Sequence, residues 1–187
     1  MIKNRLNKKG FSLAELLLTI AIMLLATAIV VAGIPSAINA YRKVVDVANA
    51  QVLLTTTATC LRDELDMATD IKISKSGNTT TIDYYDANGW YCEMNSTTDE
   101  NSAQSISVTK NYGPSESVTM LLVSDSVASK KFAVAFTDAS KAGDVITFNN
   151  IKVYKKNSSD STTVIPAIEL ENYSVRTIKK TAGEIND

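Results

Sequence analysis

Histidine is absent from the 187 residues, which removes the commonest general base and metal ligand near neutral pH. Cysteine occurs twice, as Cys60 and Cys92, too few for a disulfide framework and without metal-site spacing. There is no Gly-x-Ser-x-Gly elbow, no phosphate loop and no histidine to activate a cysteine. The chain therefore reads as something other than an enzyme, with no cofactor and no metal. Clustered basic residues are missing as well. Lys3, Arg5, Lys8 and Lys9 fall in the first ten positions, leaving 15 basic against 20 acidic residues for the remainder. That balance gives no footprint for nucleic acid.

What is present first is a long apolar run. No charged residue stands between Glu15 and Arg42. Residues 11–34 as a helix would span about 36 Å, enough for a hydrocarbon layer of about 30 Å. The basic residues before it should stay in the cytoplasm and leave the rest of the chain outside. Ala28, Ala32, Ser36 and Ala40 recur every fourth residue, a line of small side chains that either lets helices pack closely or merely reflects the alanine content of a helix. Gly33 and Pro35 interrupt the run, and Pro35 removes the bond to the Val31 carbonyl, which predicts a kink. Ala26-Thr27-Ala28 supplies a small-x-small pattern. The alternative is therefore a secreted or membrane-anchored β-rich binding module, exported by an ordinary signal sequence and cut after Ala28. An apolar run that includes Glu15 and continues past Ala28 fits that reading poorly.

From Tyr41 the composition turns polar while a helical period persists. Val44, Val47, Gln51, Leu54, Ala58, Leu61, Leu65 and Ala68 form one stripe. One helix over residues 11–70 is predicted, apolar in its first half and amphipathic in its second. Strand candidates are 71–74, 79–85, 90–94, 106–110, 118–124, 132–137, 145–149, 151–155 and 173–178, rich in Val, Ile, Phe and Tyr between polar clusters. Asn88-Gly89 signals a two-residue hairpin loop. It would put Ala87, Trp90, Tyr85, Cys92 and Met94 on one face, against the helix. At Asn149-Asn150 either a hairpin or one continuing strand is open. The fold class is α+β, a long helix on an antiparallel sheet. Its divisions are residues 1–10, a helix half at 11–40, and a globular unit at 41–187.

Cys60 lies slightly off the helical stripe and Cys92 on the expected inner sheet face. A disulfide between them would close a loop worth ~3 kcal/mol in the chain-entropy account; two buried free thiols are the other reading. Asp83, Asp86, Asn88 and Glu93 surround the hairpin turn, but not with the spacing of a calcium loop.

Glu15 stands apart, because a carboxylate inside an apolar helix costs about 2.5–3.5 kcal/mol on insertion scales and marks function by default. Sitting near the interface at the helix N-terminus would ease that cost. A cut between Gly10 and Phe11 would create an α-ammonium one helical turn from Glu15. The two charges could then neutralise one another between identical chains, a heterologous contact that generates an open filament. Lys9-Gly10-Phe11-Ser12-Leu13-Ala14-Glu15-Leu16-Leu17 resembles the leader junction and helix start of the type IV pilins and pseudopilins. The resemblance covers roughly the first 30 residues. It implies a structural subunit cut after Gly10 by a prepilin peptidase and N-methylated at Phe11, with Glu15 serving methylation and subunit registration. It implies a lollipop form, with a cytoplasmic-membrane location in lipid before assembly and a cell-surface or extracellular filament after it. The implied partners are the peptidase, copies of the chain and other pilins, and an assembly platform with its ATPase. Ser12 and Ala14 stand where a threonine and a bulkier aliphatic residue are frequent. Pro35 lies a little later than the family's helix-breaking proline often does, and no C-terminal cysteine pair is present.

Overall fold

The computed structural model describes residues 12–98, 106–113, 116–124, 131–155 and 163–177. Among the described residues one helix, α1 (Leu13–Leu65), precedes nine strands. Contacts divide the chain into two compact units, Met1–Val45 and Asp46–Asp187, with the boundary inside α1.

In the first unit no described side chain is buried, and Leu13, Leu17, Met23, Leu25, Ile29 and Val31 are all exposed. An apolar helix without a protein neighbour needs another apolar medium. Thr19 and Thr27 donate their hydroxyls to the carbonyls of Leu16 and Leu24, each at 2.9 Å, so both polar groups are satisfied within the helix, as a lipid environment requires. The helix continues through Gly33 and Pro35.

In the second unit α1 buries Ala50, Leu53, Thr57, Leu61 and Leu65. This corrects the expected stripe. Leu61, Leu65 and Ala68 are buried and Val47 and Leu54 pack against the core as expected, but Val44 and Gln51 are exposed and Ala50, Leu53 and Thr57 face inward. Thr57 can do so because its hydroxyl donates to the Leu53 carbonyl at 2.8 Å and needs no outside partner. The helix also ends five residues before the expected Asp70. Ala68 N–H bonds to the Leu65 carbonyl, and Asp70 takes a left-handed φ of 51° as the chain enters β1.

The first sheet is an antiparallel meander: β1 (Thr69–Ser76), β2 (Thr79–Tyr85), β3 (Tyr91–Thr97), β4 (Ser107–Gly113) and β5 (Glu116–Leu121). Its inner face carries Thr80, Ile82, Tyr84, Cys92, Met94, Ser96 and Val108, all buried. The β2–β3 register differs from the expected one. Tyr84 pairs with Cys92 and Tyr85 with Tyr91, and Asp86 N–H bonds to the Trp90 carbonyl at 3.0 Å, so the loop holds the three residues 87–89, and Tyr85 and Trp90 are partly exposed. The cause is Asp86, whose carboxylate accepts the N–H groups of Asn88 and Trp90, each at 2.9 Å, while Gly89 takes a φ of 80°. A one-residue slip moves a whole strand to the other face. The two-residue hairpin lies at Gly77-Asn78, with Gly77 at φ 59°.

The second sheet has β6 (Phe132–Phe136) and β7 (Ala139–Ala142) along one edge of β8 (Val145–Lys155), and β9 (Thr163–Arg176) along the other. Asn149-Asn150 thus lies inside one strand. β6 and β7 share a single register against β8, interrupted only at Thr137-Asp138, where Thr137 N–H meets the Asn150 carbonyl and Asn149 N–H the Asp138 carbonyl. The inward positions change parity at this line on β8, from Ile146 and Phe148 to Ile151 and Val153. On β9 they change from Ile168 and Leu170 to Tyr173 and Val175, across Asn172 at φ 53°. The sheet is therefore creased along one transverse line, where asparagine tolerates unusual backbone. A second irregularity between Lys152 and Tyr154 falls opposite the segment of β9 that holds Pro166, which has no N–H for the ladder.

The sheets meet through hydroxyls. Ser96 Oγ accepts the Phe136 N–H at 2.9 Å and donates to the Phe136 carbonyl at 3.1 Å, and Thr80 donates to the Thr137 carbonyl at 3.3 Å. These groups lie at the end of β6 and just beyond it, where among the described residues no strand pairs them, and an unpaired buried peptide group is costly. One core joins both sheets to the second half of α1. Lys155 pairs with Asp46 at 2.7 Å and Tyr173 donates to the Ala58 carbonyl at 2.8 Å, fixing the second sheet to α1 at two points about 18 Å apart along the axis.

Candidate functional site

The start of α1 is a capping arrangement. Ser12 precedes the first helical residue, and its Oγ accepts the Glu15 N–H at 3.3 Å while its carbonyl accepts Glu15 and Leu16 at 3.0 and 3.2 Å. Ser12-Leu13-Ala14-Glu15 is the Ser-x-x-Glu signature of a helix N-terminus, a signal present in the sequence that the expected start at Phe11 overlooks. Glu15 is exposed in the first turn, where a negative charge is favoured by the unsatisfied N–H groups. The same carboxylate that burdens an apolar segment is thus placed at its most tolerable position. Gly10 and Phe11, the expected cleavage and methylation positions, lie outside the described residues.

Ala28, Ala32, Ser36 and Ala40 are exposed along α1. Gly33 has nothing within 4 Å of where a Cβ would stand. No steric demand within the chain therefore requires glycine there.

Cys60 and Cys92 are free thiols, the first half-buried and the second buried. Cys92 is buried, with its Sγ donating to the Trp90 carbonyl at 3.5 Å, and burial pushes its pKa up to about 11 against the opposing pull of Lys110. Burial, with Asp63 and Glu64 nearby, also raises Cys60. Raised thiol pKa values mean little thiolate and low reactivity at neutral pH.

A polar cluster that sequence reasoning missed lies under the first sheet. Glu64 accepts the Tyr84 hydroxyl at 2.9 Å and pairs with Lys110 at 2.6 Å, and Lys110 lies 3.9 Å from Asp86. Burial first, then Glu64, holds the Tyr84 proton well above the ordinary tyrosine range. Burial works against the Lys110 ammonium, but the hydrogen bond and charge of Glu64 outweigh it and raise its pKa. Each group is matched to a partner that favours its resting protonation state, which describes a fastening between helix and sheet. Among the described residues no three His, Cys, Asp or Glu side chains gather as a metal site.

α1 contains a segment long and apolar enough to cross a membrane. Residues 5–31 match the model of the prokaryotic N-terminal methylation motif. Neither the curated proteins nor the solved structures give a match to the chain. The matched segment contains the Lys9-Gly10-Phe11 junction, the Ser12 cap, Glu15 and the unburied apolar turns. Residues 5–31 therefore carry the methylation motif, over the same stretch in which the sequence resembles the leader junction and helix start of the type IV pilins and pseudopilins.

Proposed function

We propose that the chain is a prepilin, a structural subunit of a type IV pilus or related pseudopilus. Prepilin peptidase would cut between Gly10 and Phe11 and methylate the new N-terminus at Phe11. The apolar half of α1 holds the subunit in the cytoplasmic membrane until a platform and ATPase extract it. In the filament the Phe11 ammonium of one subunit meets Glu15 of its neighbour, and Gly33 with Pro35 gives the helix a weak point at which it can bend. The observation that carries this reading is that the methylation motif coincides with a capped, unburied apolar helix joined to a folded β unit. An apolar surface of that length needs lipid or like helices, and repetition of one heterologous contact supplies like helices without limit. The methylation motif supports a structural role over a catalytic one.

The test is Gly10→Ala in cells that hold a prepilin peptidase. The variant should stay in the membrane at full length while the wild-type chain loses its first ten residues. Appearance of a chain starting at Phe11 in the variant would overturn the leader assignment. A wild-type chain starting at Ile29 would favour the signal-sequence alternative.

A further inference from the structure

We infer that β5 is the docking edge for a second copy of this chain, joined antiparallel about Thr119 so that two five-stranded sheets become one ten-stranded sheet. The phase of the ladder decides which backbone groups are free. Leu122 N–H bonds to the Ile106 carbonyl at 2.8 Å, so the register places Val108 with Met120 and Lys110 with Val118 as hydrogen-bonded pairs, and Thr109 with Thr119 between them. Ser117, Thr119 and Leu121 therefore direct their N–H and C=O groups away from β4. Among the described residues nothing pairs with them, and all six residues of β5 are exposed. Such an edge is normally blunted by lysine, proline or a cover. β5 reads Glu-Ser-Val-Thr-Met-Leu, with one charge at its end and no proline.

The edge is self-complementary. With Thr119 opposite its own copy, Ser117 faces Leu121 of the second chain, so free backbone groups meet free backbone groups. Val118 then faces Met120 and Met120 faces Val118, on the inner side of the sheet. These two side chains are 43 and 42 % exposed in the single chain, and the pairing covers both. Glu116 falls opposite Leu122 and meets no like charge. A contact of this kind is isologous and closes on itself. It cannot propagate a filament, so within the reading proposed above it would tie subunits of neighbouring filaments side by side. The contact itself does not depend on that reading.

The test uses the full-length chain in detergent with Cys60→Ser as background, Cys92 being buried. Thr119→Cys should be captured as a dimer by a short bis-maleimide, because directly opposed residues of such a pair stand about 5.5 Å apart. Thr81→Cys, on the outer face of the same sheet but three strands inward, should not. Thr119→Pro removes an outward N–H that β4 does not use, and Met120→Lys leaves the backbone intact. Each should abolish the dimer seen by sedimentation. Capture at Thr119 no greater than at Thr81, or a dimer that persists in Met120→Lys, would overturn the assignment. So would cross-linking of Thr119→Cys only to a different protein.

Discussion

Glu64, in the last turn of α1, and Lys110, in the middle of β4, meet at 2.6 Å with side chains only 21 and 18 % exposed. They lie far apart in the chain and fasten the amphipathic half of the helix to the first sheet. Lys110→Met should cost about 1.5–3 kcal/mol, the range for a hydrogen bond to a charged group. It leaves Glu64 with only the Tyr84 hydroxyl. Lys152→Met, which breaks the more exposed pair with Glu169 at 3.1 Å, should cost less than about 1 kcal/mol. Urea unfolding of the two variants gives the comparison.

The same cluster predicts alkaline weakening. Tyr84, Cys92 and Lys110 all have folded pKa values above their ordinary ones. The unfolded chain therefore loses these protons first as pH rises, and stability falls wherever the unfolded state binds fewer protons. Stability from these groups is complete below the ordinary thiol value of 9.0 and declines as pH rises toward about 11, where Cys92 ionises in the folded chain. Tyr84→Phe removes the phenol's share. Its urea midpoint should fall less steeply over that window than the wild-type midpoint does.

Ser96 is buried and bridges both backbone groups of Phe136. Ser96→Ala should cost about 1–3 kcal/mol by leaving peptide groups unsatisfied. Thr79→Ala, which removes one hydroxyl contact to Thr97 at 3.1 Å, should change stability by less than about 0.5 kcal/mol, as surface substitutions usually do. Amide exchange at Phe136 should rise in the first variant and not in the second.

Pro35 leaves the Val31 carbonyl without its usual donor. Amide exchange over residues 31–39 of the chain in micelles should be faster than over residues 20–28, and Pro35→Ala should slow it. Equal exchange in the two segments would remove Pro35 as a weak point.

The leader and the helix were legible because their signals are local: a charge-free run, a basic flank, and one glycine, phenylalanine and glutamate at fixed spacing. The bounds of β2, Thr79–Tyr85, were legible, but not its inward face, which is that of Thr80, Ile82 and Tyr84 and not that of Tyr85. What the sequence hid depends on distant partners or on competition between turn chemistries. Asn88-Gly89 is a strong two-residue signal, yet the Asp86 carboxylate two positions earlier captures the loop and shifts the strand. β7, Ala-Ser-Lys-Ala, has no strand propensity and is extended because it continues the ladder that β6 begins on β8. The first half of β9 contains a proline and reads as loop; as an edge strand it tolerates one. Glu64, Tyr84 and Lys110 each look like ordinary polar residues, and only the fold brings them together. The crease at Asn149-Asn150 requires three strands to turn at once, which no single strand announces.

The central claim is that Gly10 ends a leader and Phe11 begins the working subunit. Intact mass and N-terminal sequencing of the membrane-extracted chain test it most directly. The account predicts a chain that starts at Phe11 and carries one extra methyl group on its α-nitrogen. A mature chain starting at Ile29, or one retaining Met1 in cells with an active prepilin peptidase, would contradict it.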